Sequence, residues 1–250
     1  MTYLGYVLAV LIGISLGLLG GGGSILTVPV LIYVMQYPMK EAVPMSLLVV
    51  GLTSAFGVAS HHRKGNVRWD AALAFGPTAV LGAFMGGRLA VLVSGRLQLV
   101  IFAVLMLAAA TSMLIGPGLW GGTDSAEPTG RRPMPVTALL GGAVGLLTGL
   151  VGVGGGFMYV PALVLLGGVA MKQAVGTSLA LIVMSSAAGF VGHMGQVSID
   201  WAVAGLFCGL AIVGVVIGSA LVKRFSPTGL RRGFAILVLA MGLLVLLKPR

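Results

Sequence analysis

The stretches Gly20-Gly-Gly-Gly-Ser-Ile-Leu-Thr-Val-Pro29 and Gly152-Val-Gly-Gly-Gly-Phe-Met-Tyr-Val-Pro161 decide the fold of this 250-residue chain. They belong to a longer internal repeat, in which 17–61 aligns without a gap to 149–193 and 18 of the 45 positions are identical. In each copy a glycine cluster interrupts an apolar run, and a proline follows it. Matched interruptions of this kind are typical of transporters whose binding site lies between two repeats.

The composition predicts an all-α polytopic membrane protein, with the lipid bilayer as its surroundings. Hydrophobic residues make up 58% of the chain and charged residues only 8%, and the mean hydropathy is +1.11. A soluble domain carries about 25% charged residues. The formal net charge is +10, but the basic residues stand singly or in pairs at the ends of apolar runs. This pattern is typical of cytoplasmic loops next to anionic lipid and excludes a nucleic-acid partner.

The apolar runs divide the chain into two halves with five segments each. We predict a first transmembrane repeat over 1–115, a polar linker over 116–135 and a second transmembrane repeat over 136–250. A helix that spans a bilayer needs about 20 apolar residues. The runs 24–34 and 157–169 are shorter, so we expect each repeat to contain a broken or re-entrant helix.

The distribution of Lys and Arg predicts that the two repeats have inverted topology. The loop after the third segment carries Arg63, Lys64 and Arg68, whereas the corresponding loop 192–200 has no Lys or Arg. In the next loop the second half carries more Lys and Arg residues than the first half. By the positive-inside rule, the linker is cytoplasmic and both termini are outside.

The glycine clusters predict a site for a small anion. A phosphate-binding P-loop would need lysine where Gly23 stands, so nucleotide binding is excluded. A helix broken inside a membrane exposes backbone N–H groups and the positive end of the helix dipole, which favour anions. The alternative that the glycines only permit tight turns stays open. The candidate substrate-binding residues are Gly21, Gly22, Gly23, Ser24, Ser46, Gly154, Gly155, Gly156, Thr177 and Ser178.

Other recurring residues receive structural or gating predictions. Glycines at four-residue spacing in the fourth segment of each half are expected to let helices pack closely, namely Gly82, Gly86, Gly87, Gly214 and Gly218. Pro29 and Pro161 are expected to shape the broken helices. His61 and His193 end equivalent helices and are candidates for gating or proton relay, or for capping a helix C-terminus. The recurring Ser54 and Ser186 are expected to bond back to carbonyls of their own helices.

No pattern predicts an enzyme. Three histidines and one cysteine without ligand spacing give no metal site, and no cofactor motif occurs. All five acids lie in loops or at segment ends, namely Glu41, Asp70, Asp124, Glu127 and Asp200. An ion-coupled symporter usually needs an intramembrane carboxylate. Anion export needs less, because an interior negative by 100 mV favours expulsion by about 2.3 kcal/mol per charge.

The chain resembles the sulfite exporter TauE/SafE family of bacterial membrane permeases. The resemblance rests on the two opening motifs, on Ala174-x-Gly-Thr-Ser-Leu179, on His193-x-Gly-x-Val-x-x-Asp200 and on the twofold organisation; the first half departs from it at Pro44-Met45-Ser46. It implies a location in the bacterial cytoplasmic (inner) membrane and export of sulfite or of an organosulfonate such as sulfoacetate. We expect alternating access between the repeats; a channel-like anion permease and a non-transporting membrane assembly protein are the alternatives. A second copy of the chain, in a homodimer, is a candidate partner.

Overall fold

The computed structural model describes residues 2–115, 134–152, 154–166, 169–195, 197, 199–221 and 227–247. Most of the predicted linker, 116–133, lies outside the described residues. Within these ranges the chain forms ten α-helices, five in each predicted repeat. Their bounds are α1 Thr2–Leu19, α2 Thr27–Pro29, α3 Met39–Arg63, α4 Trp69–Leu89, α5 Gly95–Ile115, α6 Met134–Val151, α7 Gly156–Pro161, α8 Met171–His193, α9 Trp201–Leu221 and α10 Pro227–Leu247.

Three short helical segments of other types adjoin these α-helices. A 3-10 helix, Gly20–Leu26, joins α1 to α2, and a π-helix, Val30–Val34, continues α2. A second π-helix, Ala162–Leu166, continues α7. The predicted apolar run 24–34 and residues 157–166 of the second run are therefore helical, but each changes its helix type along its length.

Four helices are long and apolar enough to cross a membrane in the part of the chain that the structure describes: α3, α4, and most of α8 and α9. Large apolar side chains on the outside of the bundle are exposed, among them Leu73 at 69% and Leu139 at 75%. Such an apolar exterior is unfavourable in water but favourable in contact with lipid. The protein is a multi-pass membrane protein.

The second glycine cluster ends α6 through left-handed backbone conformations. Gly152, Gly154 and Gly155 have φ angles of +79°, +69° and +65°. Glycine adopts these angles without the steric cost that a Cβ atom would bring. The N–H of Gly152 still bonds to the carbonyl of Thr148 at 2.9 Å, and α7 begins at Gly156. The sequence of the cluster thus explains where α6 stops.

The equivalent helices α3 and α8 pack against each other and run antiparallel. A methyl group placed on Gly57 would lie 3.0 Å from Leu179, and one on Gly51 would lie 3.3 Å from Ser186. Residues late in α3 therefore meet residues early in α8. This pair forms the centre of the bundle.

The outer helices pair across the two halves. In this arrangement α1 packs on α9, α6 packs on α4, and α5 packs on α10. A methyl group on Gly86 would overlap with the carbonyl oxygen of Leu146, and one on the equivalent Gly218 would overlap with that of Ile14. The helices approach this closely because their interfaces consist of small residues. The predicted packing role of these glycines is confirmed.

Candidate functional site

The two glycine-rich interruptions meet at the centre of the bundle. The 3-10 helix Gly20–Leu26 packs against α7, and both segments pack against α8. Gly154 lies between Val50 of α3 and Ile182 of α8, because a methyl group there would overlap with Val50 and lie 3.5 Å from Ile182. The backbone of the predicted site thus lies between α3 and α8. Gly154, Gly155, Gly156 and Ser24 are all buried there.

Ser46 connects α3 to the second glycine cluster. Its hydroxyl donates a buried hydrogen bond of 2.7 Å to the carbonyl oxygen of Gly152. This bond crosses from one repeat to the other and uses the hydroxyl proton that an anion would need. A direct role for Ser46 in binding stays a prediction.

The other two predicted hydroxyls, Thr177 and Ser178, lie near the start of α8. Thr177 accepts a hydrogen bond from the backbone N–H of Arg68 at 2.9 Å. Ser178 donates to the carbonyl of Val175, one turn back, at 2.8 Å. A methyl group on the neighbouring Gly176 would overlap with a carbonyl in the same loop that carries Arg68. These contacts anchor α8 to the loop between α3 and α4.

The structure does not bring His61 and His193 together. They end two antiparallel helices, so they lie at opposite ends of the α3–α8 pair. His193 is only 4% exposed, and its Nδ1 donates to the carbonyl of Gly189 at 2.8 Å, which is the C-terminal capping contact considered above. The Nδ1 of His61 is buried without a hydrogen-bond partner among the described residues. In the same ranges no three His, Cys, Asp or Glu side chains group closely enough to hold a metal ion.

The expectation that Ser54 and Ser186 bond to their own helices is wrong. Both hydroxyls are buried, and neither has a hydrogen-bond partner in the described part of the chain. Their neighbours Thr53 and Ser185 bond back instead, to Val49 at 2.7 Å and to Ile182 at 3.4 Å. Ser54 and Ser186 lie near the middle of α3 and α8, where these helices pack on each other, so their side chains lie in the interface.

Sequence reasoning also missed Thr148 and Tyr159. Both are fully buried beside the second glycine cluster, and neither hydroxyl has a hydrogen-bond partner among the described residues. The signal in the sequence was their spacing. Thr148 comes one helical turn before Gly152, and Tyr159 comes one turn after the cluster, in an otherwise apolar run.

The interior of the bundle carries almost no charge. Among the side chains that the structure describes as buried, the polar ones are serine and threonine hydroxyls, the Tyr159 phenol, Gln98 and His193, without Asp, Glu, Lys or Arg. Hydroxyls and backbone N–H groups are neutral donors. Such a set can bind a small anion, but it offers little to a cation that needs a carboxylate.

At the end of the bundle where α8 ends and α9 begins, Tyr37 bonds to Asp200. The phenol donates to the carboxylate at 2.9 Å, and the other carboxylate oxygen accepts the N–H of Val203 at 3.1 Å. The N–H of Val203, and then Tyr37, lower the pKa of Asp200. Burial, and then the bond to Asp200, raise the pKa of Tyr37 to about 12. A pocket of about 780 Å³ opens beside this contact, with Lys40 and Arg96 in its lining.

At the opposite end the equivalent acid, Asp70, has a different partner. Arg68 donates to it through Nε at 2.9 Å and through a second guanidinium nitrogen. This bond raises the pKa of Arg68. The two ends of the bundle therefore differ in the contacts of their equivalent acids.

Comparison with known proteins assigns the chain to a family. The family model for the sulfite exporter TauE/SafE matches residues 6–245. The chain belongs to the TauE/SafE family. The resemblance carried by the glycine motifs is confirmed, and it extends over both halves of the chain.

Relatives of this TauE/SafE chain are named as transporters. It is 32% identical over 241 residues to a probable membrane transporter protein of Xylella fastidiosa (strain 9a5c), which covers 94% of the chain and 91% of the relative. It is 24% identical over 216 residues to the probable membrane transporter protein YdhB of Bacillus subtilis, with 86% of each chain covered. It is 26% identical over 262 residues to the probable membrane transporter protein MJ0441 of Methanocaldococcus jannaschii, with 96% and 95% covered. No solved structure matches the chain.

Proposed function

We propose that the protein exports a small sulfur-containing anion, sulfite or an organosulfonate such as sulfoacetate, by alternating access between its two repeats. The family name supports the substrate class. The observation that carries the mechanism is the meeting of the two glycine-rich interruptions between α3 and α8, beside buried hydroxyls without partners. A binding site between repeats is what alternating access requires.

The packing supports an inverted repeat. A twofold axis along the membrane normal would leave equivalent helices parallel, whereas an axis in the membrane plane makes them antiparallel. The equivalent helices α3 and α8 are antiparallel, and the α1–α9 contact has its counterpart in the α6–α4 contact. The end of α6 at the second glycine cluster, followed by the short helical segment 156–166, supports a broken helix in that repeat.

The charges support an orientation in the bacterial cytoplasmic membrane. The end of α3 that carries Arg63, Lys64 and Arg68 is the basic end of the α3–α8 pair, so we place it in the cytoplasm. The linker is then cytoplasmic as well, and both termini are outside. The Tyr37–Asp200 contact and its pocket lie at the outer end.

The anion would bind to neutral donors at the centre. Backbone N–H groups of the two interruptions, at Gly21–Gly23 and Gly154–Gly156, would act with nearby hydroxyls. Such a site contains no buried carboxylate for a coupled cation. The membrane potential therefore drives export, with about 2.3 kcal/mol per charge per 100 mV. Gating by His61 and His193, one at each end, belongs to the same proposal.

Efflux from proteoliposomes tests this function. Vesicles are loaded with labelled sulfite, sulfoacetate, sulfate or chloride, with and without an inside-negative potential. We expect saturable efflux of a sulfur anion that the potential accelerates. Efflux that rises linearly with concentration would indicate a channel, and folded protein without flux of any anion would contradict transport.

A matched pair of variants locates the pathway. Gly154→Leu should abolish efflux, because its side chain would fill the space between α3 and α8. Gly205→Leu should retain efflux, since nothing lies within 4 Å of a methyl group at that position. Equal activity of the two folded variants would contradict the central site.

A further inference from the structure

Three buried hydroxyls beside the second glycine cluster make either no hydrogen bond or only a long one among the described residues. We propose that Thr148, Tyr159 and Ser185 form a ligand site contributed by the second repeat, and that this site accepts monovalent oxyanions. The proposal rests on the proposed transport function and narrows its substrate class.

The backbone of Gly155 brings Thr148 and Tyr159 together. A methyl group on Gly155 would overlap with Thr148 Oγ1 and lie 2.7 Å from Tyr159 Cε2. Both side chains therefore lie against the same face of this left-handed glycine. The Tyr159 hydroxyl also lies near the side chains of Thr148 and Ser185, so the three hydroxyls form one cluster.

The cluster is buried and its hydrogen-bonding capacity is unused. Tyr159 and Thr148 are fully buried, and within the described ranges neither hydroxyl makes a hydrogen bond of acceptable geometry, although the hydroxyls lie near one another. Ser185 has only a long bond of 3.4 Å to the carbonyl of Ile182. A buried hydroxyl without a partner is unfavourable, and native structures rarely keep one without a reason. A ligand with several acceptor oxygens would satisfy all three donors.

The first repeat lacks this cluster. At the offset of 132 residues, Leu16 takes the place of Thr148, Thr53 takes the place of Ser185 and Thr27 takes the place of Tyr159. The Thr27 hydroxyl is buried without a hydrogen-bond partner among the described residues, so the first repeat keeps one such hydroxyl but not the group of three. The hydroxyl of Thr53 is committed to the carbonyl of Val49 at 2.7 Å. The site is therefore asymmetric, and the ligand would lie on the side of the second repeat.

The absence of buried positive charge sets the valence of the ligand. Among the buried side chains that the structure describes there is no Lys or Arg. The cost of moving an ion out of water grows with the square of its charge, so a dianion costs about four times as much as a monoanion of the same size. Neutral hydroxyls can compensate the smaller cost far more readily. Sulfite in its singly charged form and simple sulfonates fit this site, whereas sulfate and sulfoacetate carry two charges.

The test measures efflux kinetics of the full chain in proteoliposomes. The probes are methanesulfonate, a monoanion, sulfate, a dianion, and sulfite at several pH values. We expect saturable efflux of methanesulfonate and none of sulfate. Sulfite efflux at constant total concentration should rise as the pH is lowered through neutrality. Methanesulfonate efflux should stay constant over the same range, which controls for titration of His61 and His193.

Variants test the hydroxyls directly. Tyr159→Phe and Thr148→Val should each raise the KM for methanesulfonate at least about tenfold, the effect of losing one hydrogen bond to a charged ligand. Thr148→Ser retains the hydroxyl and should keep a KM close to the wild-type value. The comparison of Thr148→Val with Thr148→Ser therefore tests the site even if Tyr159→Phe does not fold. Thr111→Val is the control, because this exposed hydroxyl bonds within its own helix, to Leu107.

The outcomes separate this inference from the transport function. Wild-type protein without saturable flux of any anion would overturn the proposed function itself. Saturable wild-type flux with an unchanged KM in Tyr159→Phe and Thr148→Val would overturn the hydroxyl site alone. Sulfate efflux as fast as that of methanesulfonate would overturn the restriction to monoanions.

Discussion

Substitution of Gly154 by alanine tests whether the second glycine cluster is wedged between α3 and α8. The residue has a φ of +69°, and a methyl group there would overlap with Val50 and lie 3.5 Å from Ile182. Alanine in the left-handed region costs about 1–2 kcal/mol. Overpacking in a close-packed interior adds about 1–3 kcal/mol. The free energy of unfolding should therefore fall by about 2–5 kcal/mol.

Gly65→Ala separates the two contributions. Gly65 has nearly the same φ, +68°, but nothing lies within 4 Å of a methyl group at that position. Its substitution should cost only the backbone term of about 1–2 kcal/mol. The difference between the variants, about 1–3 kcal/mol, corresponds to roughly 2–12 °C in melting temperature for a chain of this size.

The assay is thermal unfolding of the purified protein in detergent, followed by tryptophan fluorescence. Val50→Ala removes the overlapping atom, so it should recover part of the loss when it is combined with Gly154→Ala, and a double-mutant cycle measures that coupling. Equal losses in Gly154→Ala and Gly65→Ala, or no coupling to Val50, would refute the inference that Gly154 is held between the two helices.

Three further substitutions test contacts outside this turn. Ser46→Ala leaves a buried carbonyl without its donor and should lower the free energy of unfolding by about 1–3 kcal/mol, measured by the same thermal scan. Gly214→Ala should destabilise the protein because its methyl group would overlap with α1. The control is Gly209→Ala on the same helix, which meets nothing within 4 Å and should be neutral or stabilising by up to about 1 kcal/mol. Stabilisation by both substitutions would contradict the close approach of α1 and α9. Tyr37→Phe should lower the melting temperature near neutral pH. The bond to Asp200 depends on a carboxyl whose pKa is lowered and on a phenol whose pKa is raised from 10.0 to about 12. The difference from wild type should therefore persist above the ordinary carboxyl pKa and below pH 10.0, and shrink beyond both limits; a difference independent of pH would contradict this assignment.

The second glycine cluster allowed the end of α6 to be predicted, because the physical cause is local. Gly152, Gly154 and Gly155 adopt left-handed angles that other residues avoid, and α6 ends where they begin. The small residues of α4 and α9 likewise predicted close packing, since only glycine lets a neighbouring carbonyl approach so closely.

The side-chain partners could not be predicted, because they depend on contacts between distant segments. Thr177 meets the N–H of Arg68, 109 residues away. Ser186 lies in the interface opposite Gly51 of α3 instead of bonding to its own helix. Packing against the partner helix determines which of these two arrangements its side chain adopts. Tyr159 stands in an apolar run, where an aromatic residue is usually part of the core. Only the packing around Gly155 shows that its ring lies beside the Thr148 hydroxyl, while its own hydroxyl is buried without a hydrogen-bond partner among the described residues.

Cysteine labelling at position 186 tests directly whether a substrate site lies between α3 and α8 and opens to both sides. Cys208, the single natural cysteine, is first replaced by serine, and Ser186→Cys is then treated with a membrane-impermeant thiol reagent from either side of sealed vesicles. We predict labelling from both sides that saturating methanesulfonate, which does not react with the thiol reagent, slows. Ser94→Cys, in the exposed loop after α4, should react from one side only and at a rate that methanesulfonate does not change. Labelling of Ser186→Cys from one side alone, or at the same rate with and without methanesulfonate, would contradict a central site with alternating access.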